Sequence, residues 1–322
     1  MIKILITNTV PDAVLEPLNG LAEVIQGPAG GPLMTREQVF DLLPDLDGII
    51  NQAELTVDAE LLEHGQKLKI ISNVAIGTDN LDLALMARYG VWATNVPDSF
   101  VDSTADCTLG LMLSLLRRLN AADHYVRSGQ WPHDGFQPGV WDGILLSGKT
   151  LGIVGYGRIG QAVAVRARAF GMHVIFTDVS HTVEPGYRSL DELLAEADIV
   201  TLHTPLNDAT HHLINEQRLA RMKTGAYLIN MARGPVVHEG ALVAALENSH
   251  LAGAALDVFE FEPSVHQTLL ARNNVCLSPH IGGGTQESRH AARYLCAQNV
   301  AAVLRGERPL TPVNEPIWKE QL

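Results

Sequence analysis

Short apolar runs alternate with amphipathic segments along most of the chain. In the first hundred residues, β-branched and aliphatic runs predict strands at 2–7, 22–26, 48–51, 68–73 and 91–95. Apolar residues at helical spacing predict helices between them, near 12–18, 36–43, 58–64 and 80–89. Strands that alternate with helices in this way pair in parallel, so this region predicts a doubly wound α/β sheet.

A long helix and a second alternating region follow. Cys107, Leu111, Leu115 and Leu119 recur at helical spacing and predict a helix over 99–119. The next stretch, SGQWPHDGFQPGVWDG at 128–143, is rich in Gly, Pro and Trp and is predicted to be a loop. Further strands are predicted at 150–155, 173–178, 198–203, 226–231, 252–256 and 274–277, with a final helix at 285–304.

The length of 322 residues predicts two domains. The second alternating region supplies the strands of two mononucleotide-binding halves. The simplest arrangement returns the last helix to the first domain. We therefore expect one domain from residues 1–98 and 285–322, into which a dinucleotide-binding domain, residues 99–284, is inserted.

Composition narrows the class of partner and the compartment. The formal net charge of −13 argues against nucleic acid and anionic membranes, which are bound mainly through Lys and Arg. No apolar run is long enough to span a bilayer, so a soluble protein is expected. The three cysteines are widely separated and have no metal-type spacing, which favours a reducing cytoplasm and gives no indication of a metal site.

The glycine-rich stretch GIVGYGRIG at 152–160 indicates phosphate binding. Gly155, Gly157 and Gly160 follow an apolar strand and open a helix of small and apolar residues. In such a unit the glycines allow a tight turn and a close approach of the pyrophosphate, and the helix N-terminus offers unpaired N–H groups. Three glycines alone are weak evidence, since they also mark ordinary turns.

An acidic residue at the end of the second strand completes this pattern. Asp178 lies 23 positions after Gly155, where a carboxylate can accept hydrogen bonds from the ribose hydroxyls. It would repel a 2′-phosphate, and no Arg or Lys stands in the sequence DVSHT that begins with it. NAD is therefore favoured over NADP.

Three polar residues follow later strands of the same predicted sheet. Arg233, Glu262 and His280 lie in LINMARGP, LDVFEFEP and LSPHIGGG. Loops at the carboxyl ends of parallel strands converge on one crevice. Arg233 can pair with a substrate carboxylate and His280 can give a proton to a developing alkoxide, while Glu262 can orient the histidine. Together they indicate hydride transfer to a keto acid.

These motifs resemble the D-isomer-specific 2-hydroxyacid dehydrogenase family over nearly the whole chain, through VGYGRIG, NMARGPVV, ALDVFEFEP and SPHIGG. The resemblance implies a Rossmann domain inserted into a flavodoxin-like substrate domain, a catalytic Arg233, Glu262 and His280, and a homodimer. It implies that the backbone around Ala75, Ile76 and Gly77 binds the substrate carboxylate. It also implies that the cofactor is bound by Gly155, Tyr156, Gly157, Arg158, Ile159, Gly160, Asp178, Thr204, Pro205, Ala232 and Asp257, with Asp257 at the nicotinamide carboxamide and Thr204 with Pro205 beside the adenosine.

Differences within the family suggest the substrate. The formate dehydrogenase branch has glutamine where this chain has Glu262. Phosphoglycerate dehydrogenases carry basic residues after the third strand, where this chain reads INQAEL. STADCTLGLMLSLLRRL resembles a helix of the glyoxylate and hydroxypyruvate reductases. We expect an NADH-dependent oxidoreductase acting on a small non-phosphorylated 2-keto acid or D-2-hydroxy acid. The alternatives are a D-3-phosphoglycerate dehydrogenase-like enzyme and an NAD-sensing corepressor-type binding module.

Overall fold

The computed structural model describes residues 1–30 and 32–317. Its strands are β1 (Lys3–Ile6), β2 (Glu23–Gln26), β3 (Gly48–Asn51), β4 (Ile70–Asn73), β5 (Trp92–Thr94), β6 (Thr150–Val154), β7 (His173–Thr177), β8 (Ile199–Leu202), β9 (Ala226–Asn230), β10 (Leu251–Leu256) and β11 (Val275–Leu277). Its helices are α1 (Asp12–Leu15), α2 (Arg36–Leu42), α3 (Ala59–His64), α4 (Leu83–Arg88), α5 (Val101–Leu116), α6 (Leu119–Arg127), α7 (Gln130–Asp134), α8 (Arg158–Ala169), α9 (Leu190–Glu196), α10 (Glu216–Arg221), α11 (Glu239–Glu247), α12 (Gln267–Leu270) and α13 (Gln286–Leu304).

The chain divides into two compact units. The first contains residues 1–100 together with the chain from 284 onward, and the second contains residues 101–283. The substrate domain expected from the sequence runs to residue 322, and residues 318–322 of it lie outside the described part of the chain.

The first unit is built on a parallel sheet of five strands in the order β2-β1-β3-β4-β5. Both faces of this sheet are buried. Ile4 and Ile6 pack with Ala297 and Val300 of α13 on one face, whereas Leu5 faces the opposite cluster. Burial on both sides explains why the strands are continuous apolar runs.

The second unit has a parallel sheet of six strands in the order β11-β10-β9-β8-β6-β7. The connection direction reverses between β6 and β8, because β7 lies on one side of β6 and β8 on the other. Ligands of open parallel sheets bind outside the carboxyl ends of the strands at such a switch point. The predicted fold class, two doubly wound parallel α/β sheets, is confirmed.

The sequence prediction was wrong after the first long helix. α5 ends at Leu116, and Arg118, with a φ of +53°, separates it from α6. The segment at 128–143, predicted to be a loop, begins with the short helix α7. None of the described residues of α6 or α7 is buried, yet the sequence of α6 is amphipathic at helical spacing, a signal that the sequence prediction missed.

Within residues 1–30 and 32–317, no helix combines the length and the apolar character needed to cross a bilayer.

Candidate active site

The glycine loop lies at the carboxyl end of β6, at the switch point of the six-stranded sheet. Gly155 has a φ of +93°, and a Cβ there would lie 2.6 Å from the His203 carbonyl oxygen. A Cβ at Gly160 would lie 2.1 Å from the Gly155 carbonyl oxygen. These two glycines are required by close backbone contacts, as the sequence predicted for a tight turn.

Gly157 differs from its neighbours because it faces open space. A Cβ built there meets nothing within 4 Å in the described chain, and no described side chain caps α8, which begins at Arg158. The first N–H groups of this helix, Ile159 and Gly160 among them, therefore border a space that a ligand can enter. The pyrophosphate of a dinucleotide fits this arrangement of open space and helix N-terminus.

Asp178 follows β7 directly and is held next to the glycine loop. Its Oδ2 accepts a hydrogen bond from the Tyr156 N–H at 2.7 Å, and its Oδ1 accepts one from the Ser180 N–H at 2.7 Å. The Tyr156 ring stacks on Phe176 with centroids 3.7 Å apart. The carboxylate is thus fixed at the end of β7 by two backbone donors.

The loop after β8 lies against the glycine loop through the His203 carbonyl group. Thr204 is buried, and its hydroxyl donates to the Pro205 carbonyl oxygen at 2.9 Å. Burial lowers the pKa of His203 to about 3, so this histidine is neutral, and its Nε2 lies 2.9 Å from the Thr201 hydroxyl. His203 was not identified from the sequence, although it directly precedes the predicted residues Thr204 and Pro205.

Arg233 lies just beyond β9, in an extended conformation at the start of the 3-10 turn Gly234–Val236. Its Nη1 donates to the Ala232 carbonyl oxygen at 2.9 Å, and its own carbonyl oxygen accepts from the Asn230 side chain at 3.0 Å. Asn230 Oδ1 also accepts from the Ala232 N–H at 3.1 Å. One buried asparagine at the end of β9 thereby fixes the backbone on both sides of Ala232.

Gly234 brings this segment against the loop that follows β10. A Cβ at Gly234 would lie 1.7 Å from the Phe259 carbonyl oxygen and 2.5 Å from the Glu260 nitrogen. Real Cβ atoms do not approach other atoms so closely, so only glycine permits this contact. Sequence reasoning missed this residue, although the glycine after Arg233 was the signal that could have revealed it.

Glu262 and His280 come together although they are 18 residues apart. Glu262 Oε2 lies 3.0 Å from His280 Nδ1, and Glu262 Oε1 accepts from the Phe259 N–H at 3.0 Å. Because a carboxylate can only accept, Nδ1 carries the proton and donates to it. His280 has a φ of +52°, and its side chain is about half exposed (51%).

The electrostatic surroundings of Glu262 favour its charged form. Burial raises the pKa of Glu262, whereas the hydrogen bond and charge of His280 lower it. The Phe259 N–H and the charge of Arg233 lower it further, so the pKa of this carboxyl lies below its ordinary value.

Asp257 connects β10 to the segment that carries His280. It is buried, and its Oδ1 accepts from the Ser278 hydroxyl at 2.6 Å and from the Ile281 N–H at 2.8 Å. Its Oδ2 accepts from the Gly282 N–H at 2.7 Å, and its carbonyl oxygen accepts from the His280 N–H at 2.8 Å. Asp257 therefore holds the backbone on both sides of His280.

The predicted substrate loop belongs to the first unit and follows β4. Its carbonyl groups are all engaged: Ala75 accepts from the Val96 N–H at 3.0 Å, Ile76 from the Asn95 side chain at 2.7 Å and Gly77 from the Asn73 side chain at 3.2 Å. Among the described residues, the N–H groups of Ala75, Ile76 and Gly77 have no acceptor. Three such donors in succession suit an anion.

A basic residue lies beside the segment after β3, in the first unit. The sequence INQAEL contains no Arg or Lys, but the half-buried Arg293 of α13 donates from Nε and Nη2 to Gln52 Oε1, both at 3.4 Å. This contact gives the segment a basic neighbour at Gln52 that the sequence did not indicate. Residues 241 positions apart give no local signal of such a contact.

Comparison with known proteins identifies relatives that bind a nicotinamide dinucleotide. Residues 109–282 match the NAD-binding domain of the D-isomer specific 2-hydroxyacid dehydrogenases. The chain is 41% identical over 325 residues to a glyoxylate reductase of Thermococcus kodakarensis, a match that covers 98% of this chain and 97% of the relative.

Solved structures show the same fold. A protein of Thermus thermophilus superposes with a TM-score of 0.91 at 39% identity, covering 97% of this chain and 100% of that one. An NADPH-dependent glyoxylate/hydroxypyruvate reductase of Sinorhizobium meliloti, in complex with NADP and malonate, has a TM-score of 0.84 at 32% identity, with coverage of 97% and 96%.

Proposed function

This chain belongs to the D-isomer specific 2-hydroxyacid dehydrogenase family, and we propose that it reduces glyoxylate, hydroxypyruvate or a similarly small, non-phosphorylated 2-keto acid with NADH. It is an NAD(P)-dependent 2-keto acid reductase of the glyoxylate reductase type. The observation that carries the proposal is the contact between Glu262 Oε2 and His280 Nδ1, because it leaves the other ring nitrogen of His280 to face a substrate.

His280 is the proton donor of the proposed reaction. When bound, the reduced nicotinamide supplies a hydride to the carbonyl carbon of the substrate, and the carbonyl oxygen must gain a proton. His280 Nε2–H gives that proton while Nδ1–H stays hydrogen-bonded to Glu262. Glu262 thus orients the ring and stabilises the imidazolium that must donate.

Arg233 and the loop at 75–77 are the proposed anion-binding groups. The guanidinium of Arg233 pairs with the substrate carboxylate and polarises the neighbouring carbonyl oxygen. The N–H groups of Ala75, Ile76 and Gly77 are proposed as donors to a substrate carboxylate. This role of the loop is supported by its geometry, because the carbonyl oxygens of Ala75, Ile76 and Gly77 all accept hydrogen bonds from protein donors.

The proposed preference for NADH rests on Asp178. Its carboxylate can accept the ribose hydroxyls, and a 2′-phosphate at the same place would meet a like charge. The proposed cofactor site also uses Tyr156, Thr204, Pro205 and Ala232. Asp257 is proposed to accept a hydrogen bond from the nicotinamide carboxamide in addition to holding the His280 segment.

A homodimer in a reducing, cytoplasmic compartment is part of the proposal. A run of exposed apolar side chains on α6, on α7 and in the segment after them supports self-association, namely Leu119, Val126, Trp131, Phe136, Val140 and Leu145. The cysteines are free thiols, two of them buried, as suits a reducing compartment.

A second candidate substrate, a phosphorylated keto acid, is supported by Arg293. An arginine beside Gln52 is a possible partner for a phosphate, and it was not foreseen from the sequence. Glu54 in the same segment acts against that partner by its charge, which is why the non-phosphorylated substrate is preferred.

The test is the loss of NADH or NADPH absorbance with glyoxylate, hydroxypyruvate, pyruvate, phenylpyruvate, 2-ketogluconate and 3-phosphohydroxypyruvate. We expect turnover of one or two non-phosphorylated acids with NADH. Arg233→Ala should lower kcat/KM by about 100-fold, since a hydrogen bond to a charged group is worth up to about 3 kcal/mol. Turnover of the phosphorylated acid alone would contradict the proposed substrate, and NADH binding without any turnover would favour a sensing module.

A further inference from the structure

His212 is bonded to both of the segments that carry Arg233 and Glu262. Its backbone N–H donates to the Pro235 carbonyl oxygen at 2.8 Å, within the turn that starts at Arg233. Its side-chain Nε2 lies 2.6 Å from Glu260 Oε1, two residues before Glu262. One residue therefore links two loops that follow different strands of the sheet.

Glu260 is the point at which these bonds meet. Its side chain is only 12% exposed, and its Oε2 accepts from the Glu239 N–H at 2.8 Å, at the start of α11. The Glu239 side chain returns the bond, since its Oε2 accepts from the Glu260 N–H at 3.2 Å and its Oε1 from the His266 N–H at 3.2 Å. Both ends of the turn around Glu262 are thus tied to α11.

The turn itself is short, so that holding Glu260 also holds Glu262. The Phe259 N–H donates to Glu262 Oε1 at 3.0 Å, which closes the turn around Glu260. On its other side, the Phe259–Glu260 peptide lies directly against Gly234. A shift of Glu260 would therefore alter both the Glu262–His280 contact and the backbone position of Arg233.

We propose that His212 and Glu260 are positioning residues of the reaction, which fix the turn carrying Glu262 against the segment carrying Arg233. The inference rests on the roles proposed above for Arg233 and Glu262. The inference adds two residues that are not proposed to contact the substrate. Their hydrogen bond sets the distance between the segment carrying Arg233 and the turn carrying Glu262. Misplacement of reacting groups by about 1 Å can cost roughly 100-fold in rate, so such a bond can affect catalysis from a distance.

The charges around this pair favour the bond. Burial raises the pKa of Glu260, but the Glu239 N–H, the hydrogen bond of His212 and the charges of His212 and His238 lower it, so its pKa lies below the ordinary value. The His238 ring packs edge-on to His212 with centroids 4.7 Å apart. The His211 ring contacts the His212 ring at a tilt of 35°, with centroids 4.0 Å apart, and within the described chain it does not bond to Glu260, which makes it a matched control.

The experiment compares His212→Phe, His212→Gln and His211→Phe by steady-state kinetics with NADH and the preferred keto acid. Phenylalanine keeps the ring but removes the donor, whereas glutamine keeps a donor of similar reach. Both variants place a non-glycine residue at the φ of +49° that His212 adopts, so they share this backbone position with each other. We expect His212→Phe to lose roughly 10-fold to 100-fold in kcat/KM, His212→Gln to recover most of it, and His211→Phe to match the wild type.

The pH profile separates positioning from a general loss of stability. If the turn loosens, His280 and Arg233 act less strongly on Glu262, its pKa rises, and the acidic limb of kcat/KM moves to higher pH in His212→Phe. Glu260→Met approaches the same bond from the other side and carries the test should His212→Phe fail to fold. Glu260→Met also removes the acceptor of the Glu239 N–H. Combining the two variants should still cost less than the sum of the single losses, because the bond between His212 and Glu260 is lost in both.

Amide NMR spectra test the connection between the two loops without measuring catalysis. The amide signals of Arg233, Gly234, Val236 and residues 259–262 should shift in His212→Phe and stay in place in His211→Phe. A wild type without reductase activity would reject the proposed function, while these spectra would still test the link. Unchanged kinetics and an unmoved acidic limb in His212→Phe, or a loss that His212→Gln does not restore, would overturn the inference.

Discussion

Glu262 is a carboxyl group whose surroundings keep it ionised, and this gives a prediction for the pH dependence of the enzyme. Its pKa is lowered in the folded protein, so its contribution is present above the ordinary value of 4.5 and is lost as the pH falls through the lower folded value. We expect kcat/KM to show a Glu262-dependent acidic limb below pH 4.5. The measurement is the kcat/KM profile of wild type and Glu262→Gln.

Glu262→Gln should preserve a hydrogen-bond acceptor for His280 but remove the charge that stabilises the imidazolium. The variant should lose about 10-fold or more in kcat and should lack the limb. The exposed Glu216, exchanged for glutamine, controls for the loss of one negative charge. A limb above pH 4.5 that disappears in Glu262→Gln would show that the pKa of this group is raised rather than lowered.

Asp178 governs a second prediction, on the choice of cofactor. Its carboxylate occupies the N–H groups of Tyr156 and Ser180, so Asp178→Ala removes a repelling charge and also frees two donors for a phosphate. We expect the ratio of kcat/KM for NADPH over NADH to rise by about 10-fold or more, the equivalent of about 1.4 kcal/mol.

Binding of adenosine 2′,5′-bisphosphate to the free protein provides a calorimetric measurement of the same effect. It should tighten in Asp178→Ala and stay unchanged in Glu247→Ala, which removes an exposed charge at the end of α11. An unchanged cofactor ratio together with unchanged binding would mean that Asp178 does not face the 2′ position.

Single residues could be identified from the sequence where a known motif surrounds them. Gly155, Gly160 and Asp178 occupy the positions that their spacing suggested, because a tight turn and a strand end depend on neighbouring residues. The bond between His212 and Glu260 could not be foreseen in this way. The two lie 48 positions apart in irregular segments, and only the folded chain brings them together.

At the scale of elements, substitutions of two glycines should distinguish an effect on protein stability from an effect on cofactor binding. Gly234→Ala would place a Cβ 1.7 Å from the Phe259 carbonyl oxygen and should destabilise the protein by about 1–3 kcal/mol or more while lowering kcat. Gly157→Ala meets no described atom within 4 Å, so it should keep the melting temperature and weaken NADH binding.

Thermal unfolding and NADH titration of both variants test this contrast. Gly110→Ala, in the interior of α5 with open space at its Cβ, is the control and should be slightly more stable than the wild type. A Gly234→Ala variant with a wild-type melting temperature and kcat would show that the two loops can separate without cost.

The strands and most helices could be predicted because the core requires them. The inner strands of these parallel sheets are buried on both faces, so their sequences are short apolar runs, whereas the edge strands β2 and β7 are less buried. Most of the intervening helices bury one side. α6 and α7 lack that requirement, since no described residue in them is buried. The predicted long helix stopped at Leu119, where α6 begins, and α7 lies within the segment predicted to be a loop.

For the molecule as a whole, the exposed apolar run on α6, on α7 and in the segment after them predicts self-association. Phe136 is 85% exposed and Leu145 is 72% exposed, which is unusual for side chains of this size. Light scattering should give twice the mass of the chain for the wild type. Phe136→Glu combined with Leu145→Glu should give the mass of one chain, because two charges would have to be buried at the contact.

Leu270→Glu is the control for that experiment, since Leu270 is an exposed apolar residue on α12, outside the run. It should leave the mass unchanged. A wild type that scatters as a single chain, or a double variant that remains a dimer, would contradict the assignment of this surface.

The division of the chain also sets an order of events during synthesis on the ribosome. Ala297 and Val300 of α13 complete the core around Ile4 and Ile6, yet they are translated only after residues 101–283. At about 5–20 residues per second, the first sheet waits roughly ten seconds or longer with an apolar face uncovered. The nascent first hundred residues therefore keep that apolar face uncovered until the last helix emerges, whereas the inserted unit contains all of its own strands and can fold before α13 is synthesised.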